Sequence, residues 1–192
     1  MVGITGTNGK TTTAWLAAHA ISAAGGRAAT LGTLGYAFEG DAVDSPLTTP
    51  EPDEISRYAA RARDGGARQL VMEVSSHALD QRRVDALRFA VAAFCNLTQD
   101  HLDYHRTMRD YAASKARLFY ELAPAVAVIN TDDELGAELA GRAAGRVLRV
   151  GRGPGDAVTE KGRIAQCRPR QRTQDQRVLG PQHARCAAVQ PR

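Results

Sequence analysis

A lysine and two threonines, Lys10, Thr11 and Thr12, stand directly behind the glycine-flanked stretch Gly6-Thr7-Asn8-Gly9. Those residue types in that order suit phosphate chemistry. Glycines let backbone N–H groups face inward around phosphate oxygens. The lysine adds a full positive charge, and a threonine hydroxyl is an oxygen ligand suited to Mg²⁺. Apolar Val2 and Ile4 in front predict a short buried strand. Ala14 to Ala18 behind predict a helix, whose N-terminus adds partial positive charge. Strand, glycine loop and Lys-Thr on a helix is the layout of a P-loop. The strict pattern asks for glycine where Ile4 stands, so this is a shorter Gly6-x-x-Gly9-Lys10-Thr11 form. The competing reading is a glycine turn that happens to precede a lysine; the order of strand, loop and helix favours the P-loop.

Other residues could serve the same chemistry. Glu73 interrupts the apolar run Gln69-Leu-Val-Met-Glu-Val74. A carboxylate there is costly to bury unless paired or metal-bound. A P-loop nucleotide needs Mg²⁺, for which a carboxylate at a neighbouring strand end is a natural ligand; the plain alternative is an exposed strand end. Asp100, His101, Asp103 and His105 crowd a stretch after the next strand, either as a solvated loop or with a histidine ligating metal beside the phosphate site. Lys115 falls on the apolar side of its helix, where its stem would ordinarily snorkel to water.

These residues need elements to hold them. Ala28–Thr33 reads as a second strand, 36–50 as a loop, and Pro50 and Pro52 as the start of a helix that ends at Gly65-Gly66. Ile55, Tyr58, Ala59 and Ala62 share one face of it. Gln69–Val74, Ala90–Cys95, Ala125–Ile129 and Arg146–Val150 read as strands, and Met108–Leu122 and Asp132–Arg142 as helices. Strands alternating with helices, several of them wholly apolar, predict an α/β fold with a mostly parallel sheet covered on both faces. Ligands in such sheets sit at the carboxyl ends of the strands.

Composition narrows the class. The hydrophobic share of 43% can form a core. No run approaches a membrane span, and the expectation is a chain without a secretory leader. Cys95, Cys167 and Cys186 lack paired spacing, which argues against a disulfide framework or zinc site and fits a reducing cytoplasm. The net charge of +4 divides unevenly: −2 over residues 1–150 and +6 over 151–192. All ten aromatic residues lie at or before Tyr120, so the basic tail offers no stacking platform for single strands. The expectation is a first unit over 1–150 and a poorly ordered basic tail over 151–192.

Together these motifs resemble the central domain of the Mur ligases, ATP-dependent amide-forming enzymes of peptidoglycan synthesis. The residues carrying the resemblance are Gly6-Thr-Asn-Gly-Lys-Thr-Thr12, Thr48-Thr-Pro50, Met72-Glu-Val-Ser-Ser-His-Ala78 and Asn96-Leu-Thr-Gln-Asp-His-Leu-Asp-Tyr-His105. They are most similar to the branch that adds the third stem-peptide residue to UDP-N-acetylmuramoyl-L-alanyl-D-glutamate. The resemblance implies that Gly6, Thr7, Asn8, Gly9, Lys10, Thr11 and Thr12 cradle ATP, with Asn130 near the nucleotide. It implies Mg²⁺ on Thr11, Glu73 and His101, and on Lys115 carried as a carbamate. Catalytic roles fall to Lys10, His101 and the carbamylated Lys115. Thr48, Thr49, Ser75, Gln81 and Arg83 match contacts to the UDP-muramoyl dipeptide. The second substrate is an amino acid, diaminopimelate or lysine. A cytoplasmic monomer is expected, with neither nucleic acid nor membrane as partner.

The family's flanking domains, one for the uridine nucleotide and one for the amino acid, have no counterpart among these 192 residues. The composition break after Gly151 resembles a reading-frame change, with a true basic extension as the alternative. The expectation is a polypeptide that binds ATP but does not form the amide alone. A non-catalytic nucleotide-binding module and a folylpolyglutamate synthetase are the competing readings. The latter typically carry Gly-Lys-Gly-Ser, where this chain has Gly9-Lys10-Thr11-Thr12.

Overall fold

The structure is a computed structural model that describes residues 1–153 and Asp156. The expected basic tail therefore lies almost wholly outside the described residues. Strand β1 (Val2–Thr5) leads through the glycine loop into helix α1 (Lys10–Ala23), in the order expected. Then come β2 (Ala28–Gly32), α2 (Pro52–Asp64) and β5 (Gln69–Glu73), with β3 (Gly35–Phe38) and β4 (Asp41–Val43) between β2 and α2. Helix α2 begins at Pro52, carries Asp53 and Glu54 in its first turn and Arg61 and Arg63 in its last, all favourable to its dipole.

The β3–β4 hairpin corrects the expectation of a loop over 36–50. Glu39 and Gly40 both have positive φ, at 47° and 86°, and form the two-residue turn between Phe38 and Asp41. Positive φ at both central positions matches the right-handed twist of the flanking strands.

The second half supplies α3 (Ser76–Asp80), β6 (Val91–Phe94), α4 (Leu102–His105), α5 (Met108–Tyr120), β7 (Val126–Asn130), α6 (Glu134–Arg142) and β8 (Arg146–Val150). Side chains cap three of these helices. Ser75, Thr107 and Asp133 accept the backbone N–H of Ala78, Asp110 and Gly136. Each such cap contributes about 1 kcal/mol.

The strands form one sheet in the order β4-β3-β2-β5-β1-β6-β7-β8. It is parallel from β2 to β8, and antiparallel where β3 and β4 extend the edge. Alternation splits the apolar residues between two faces. Ile4 and Val71 pack with Ala14 and Ala18 of α1 on one face. Met72, Ala92, Phe94 and Ile129 pack with Ile55 of α2, Phe119 of α5 and Leu139 of α6 on the other. Phe119 is fully buried and meets Phe94 edge-to-face at 6.4 Å. With β1 between them, the carboxyl ends of β5 and β6 flank the glycine loop, and β2 lies beyond β5.

Candidate functional site

The loop itself is tightly tied. The Thr7 N–H donates to the Asn96 carbonyl and the Asn8 N–H to Asn96 Oδ1, both at 2.9 Å. Asn96 Nδ2 returns a bond to the Asn8 carbonyl. Gly6 presses on β6: a Cβ there would stand 2.8 Å from the Cβ of Cys95. Gly9 adopts a left-handed conformation, φ 83°, and a Cβ at that position would meet nothing within 4 Å. Open space therefore lies in front of the helix N-terminus. The backbone bonding of α1 begins with the Thr13 N–H on the Gly9 carbonyl. The N–H groups of Lys10, Thr11 and Thr12 precede that bond and have no intrahelical acceptor. Lys10 Nζ curls back to donate to the carbonyls of Gly6 and Thr7, 2.9 Å each. Burial lowers the pKa of Lys10, against the opposing pull of Glu73, Cys95 and Asp100.

Glu73 ends β5 on the face that α1 covers. Its carboxylate is buried, at 2% exposure. Three neutral donors serve it: Thr11 Oγ1 at 3.0 Å and Thr33 Oγ1 at 3.2 Å on Oε2, and the Thr33 N–H at 2.8 Å on Oε1. A buried carboxylate with only neutral partners, beside a hydroxyl at the foot of the loop, is a donor set of hard oxygens. That set fits a hard divalent cation. The described residues contain no ready-made cluster of three or more His, Cys, Asp or Glu ligands. Mg²⁺ does not require one, because it keeps waters and takes phosphate oxygens.

From the other face, Lys115 reaches the same loop. It does not snorkel: it is 1% exposed, and its Nζ donates to the Gly6 carbonyl at 2.9 Å. The ammonium group lies 4.4 Å from the Tyr111 ring centroid. Burial, then the charge of Lys10, pulls its pKa down to about 7. Tyr111 is buried beneath it and shares a hydrogen bond with Thr7 Oγ1, 3.1 Å away. The Tyr111 ring stacks on His105 at 5.0 Å and meets His101 edge-on at 6.1 Å. His101, at φ 51° before α4, is half-exposed, with its Nε2 3.6 Å from Asp100 Oδ2. His77 lies 4.9 Å from it, ring to ring, and burial lowers the pKa of His77.

The five residues expected at the dipeptide lie beside this cluster. Thr49 Oγ1 donates to the Glu73 carbonyl and accepts the Ser75 N–H, 2.9 Å each, and its side chain is buried. Arg83 donates to the Thr49 carbonyl at 2.9 Å and to Gln81 Oε1, and pairs with Glu51 at 3.1 Å. Thr48 Oγ1 lies 3.1 Å from Thr33 Oγ1. The Thr49 hydroxyl is thus spent on the backbone, whereas Thr48 is only partly buried. Asn130 holds the β6 and β7 ends together: its Nδ2 donates to the Cys95 carbonyl at 2.7 Å, and its Oδ1 accepts the Asp132 N–H. It also lines a cavity of about 460 Å³ with Thr13, Cys95 and Asp132.

Sequence reading missed Thr33, Asn96 and Tyr111 as site residues. Thr33 carried no signal, because it works through a contact 40 residues away. Asn96 stood inside a quoted motif, yet only the fold pairs it with Asn8. Tyr111 was legible as a core residue four positions before Lys115, one helical turn away.

A mostly parallel sheet with a glycine loop and Lys-Thr helix at its carboxyl edge defines a P-loop α/β domain. A family profile described as the Mur ligase middle domain matches residues 4–178, and the chain belongs to that family. A UDP-N-acetylmuramoyl-L-alanyl-D-glutamate--2,6-diaminopimelate ligase of Geobacter metallireducens is 52% identical over 161 residues, 80% of this chain and 32% of the relative. The chain thus spans about a third of the length of the curated relatives it matches. A solved structure of a ligase of the same name superposes with a TM-score of 0.73 at 30% identity, over 84% of this chain and 37% of that one. A bifunctional folylpolyglutamate synthase/dihydrofolate synthase shares the fold at TM-score 0.55 and 18% identity, over 77% of this chain and 42% of that one. Among the described residues, no helix is long and apolar enough to cross a membrane.

Proposed function

We propose that the chain is the ATP-binding core of an ATP-dependent amide ligase that joins 2,6-diaminopimelate to UDP-N-acetylmuramoyl-L-alanyl-D-glutamate. The relatives' printed names support both substrates. The observation that carries the reading is the buried Glu73 carboxylate facing Thr11 at 3.0 Å beside the glycine loop. Such a pair is what a metal-bound polyphosphate needs at a P-loop.

In this reading the residues of 6–12 take the phosphates, with Lys10 turning from its loop carbonyls to phosphate oxygen. Asn130 shapes the wall beside the nucleotide. Thr11, Glu73 and His101 would hold Mg²⁺, and Lys115, carried as a carbamate, would be a further ligand. Bound there, Mg²⁺ would offset charge as the phosphate and the carboxylate approach. A carbamate forms when a neutral amine adds to CO₂ and loses a proton, and Lys115 is tuned toward neutrality by burial and by Lys10. Thr48, Thr49, Ser75, Gln81 and Arg83 form the dipeptide side, with Arg83 and Thr49 keeping its loops in register. The dipeptide carboxylate attacks the γ-phosphate, giving an acyl phosphate and ADP. The amino group of diaminopimelate then displaces phosphate and leaves an amide. Lys10 neutralises charge on the transferring phosphoryl group. In this reading the chain works in the cytoplasm as a monomer.

A chimaera tests this. Residues 1–153 would replace the matching segment of a curated relative, and the product of ATP, the UDP-muramoyl dipeptide and diaminopimelate would be read by mass. The expected result is a tripeptide product, lost on Glu73→Gln. A folded chimaera that binds ATP yet yields no product would sink the proposal.

A further inference from the structure

Thr33, at the turn after β2, touches both halves of the site. Its hydroxyl carries one proton, and the Glu73 carboxylate, 3.2 Å away, can only accept it. The Thr48 hydroxyl, 3.1 Å from Thr33 Oγ1, is then the donor to Thr33. A continuous path results: Thr11 donates to Glu73, Thr33 donates to Glu73, and Thr48 donates to Thr33. Thr33 grips the carboxylate a second time through its N–H, at 2.8 Å on the other oxygen. Its neighbour makes the grip possible. A Cβ on Gly32 would stand 2.2 Å from Glu73 Oε1, so any side chain there displaces the carboxylate.

We infer that Thr33 is a positioning residue that fixes the Glu73 carboxylate toward the metal site and ties it to the Thr48 loop. Two bonds from one residue, one to each oxygen, set the rotation of the carboxylate plane. Outer partners of this kind orient ligands, and their loss typically costs metal affinity about 10- to 100-fold. The link to Thr48 means that the loop proposed to meet the dipeptide rests on the same hydroxyl that aims the metal ligand. This inference rests on the proposed Mg²⁺–ATP site.

The test is calorimetric titration of the 192-residue chain with ATP, once in Mg²⁺ and once in chelator. The ratio of the two affinities is the readout. Thr33→Val removes the hydroxyl, keeps the shape and keeps the N–H bond. It should cut the ratio at least about tenfold and leave the metal-free affinity unchanged. Thr33→Ser should restore the ratio, and Gly32→Ala should lower it as Thr33→Val does. Should Thr33→Val not fold, Thr33→Ala carries the same comparison. An unchanged ratio in Thr33→Val, equal losses with and without metal, or no rescue by serine would overturn the inference alone. A wild-type chain whose ATP binding ignores Mg²⁺ would overturn the underlying reading and this inference with it.

Discussion

Lys10 and Lys115 donate to the same acceptor, the carbonyl oxygen of Gly6, each at 2.9 Å. They arrive from opposite faces of the sheet: Lys10 opens α1, and Lys115 sits in α5. One carbonyl at the carboxyl edge of β1 thus gathers two amines. Burial first, and then the nearby charge of Lys10, raises the cost of charging Lys115, whose pKa falls to about 7. A phosphate entering the loop would relieve that crowding by drawing Lys10 away from the carbonyl.

The Lys115 shift has a consequence for stability. Because its pKa falls from 10.5 to about 7, the folded protein binds fewer protons than the unfolded chain between those values. Stability therefore rises with pH across that window, by at most about 1.4 kcal/mol per pH unit. Below about pH 7 the cost of the buried ammonium is present in full. Lys115→Met should flatten the rise, leaving the smaller contribution of Lys10, which is lowered in the same direction. Urea unfolding at pH 7 and 9 measures this; the same slope in wild type and variant contradicts it.

Tyr111→Phe keeps the ring under Lys115 and removes the hydroxyl that meets Thr7 at 3.1 Å. The lost bond is worth about 1 kcal/mol of stability. Thr7 would then be held by its backbone bond to Asn96 and its hydroxyl contacts to Thr98. The expected outcome is a small loss on unfolding together with weaker ATP binding. Full ATP affinity in the variant would show that Tyr111 does not steady the loop.

The sequence made the sheet legible where apolar runs are strong. Ile4, Val71, Ala92 and Ile129 mark strands at the centre of the sheet, and those strands stand where the apolar runs put them. The site was legible where residue type and spacing suffice: Lys10, Thr11 and Glu73 could be read as phosphate and metal chemistry before any fold was known. The β3–β4 hairpin was not, because only three or four residues form each strand and tertiary pairing decides them. Its signal was Glu39-Gly40, a turn pair read as loop composition. Lys115 was legible as an oddity on an apolar face, but its depth was not, because only the approach of Gly6 supplies the acceptor that lets it stay buried.

Asn130 binds two backbone groups at once, the Cys95 carbonyl and the Asp132 N–H. Asn130→Ala should cost about 1 kcal/mol, chiefly through the part-buried bond to the Cys95 carbonyl, because the Asp132 N–H is exposed and can turn to water. It should also widen the cavity that Thr13 and Cys95 line. Denaturant unfolding measures the loss, and a midpoint equal to wild type would contradict the bridging role.

The central claim is that Lys10 and the glycine loop hold the phosphates of ATP·Mg²⁺. Isothermal calorimetry of the 192-residue chain and its Lys10→Ala variant tests it most directly. The charge-assisted contacts of Lys10 are worth about 1.5–3 kcal/mol each, so the variant should bind roughly 10- to 150-fold more weakly. Equal affinity in the two proteins, with both folded, would contradict the account.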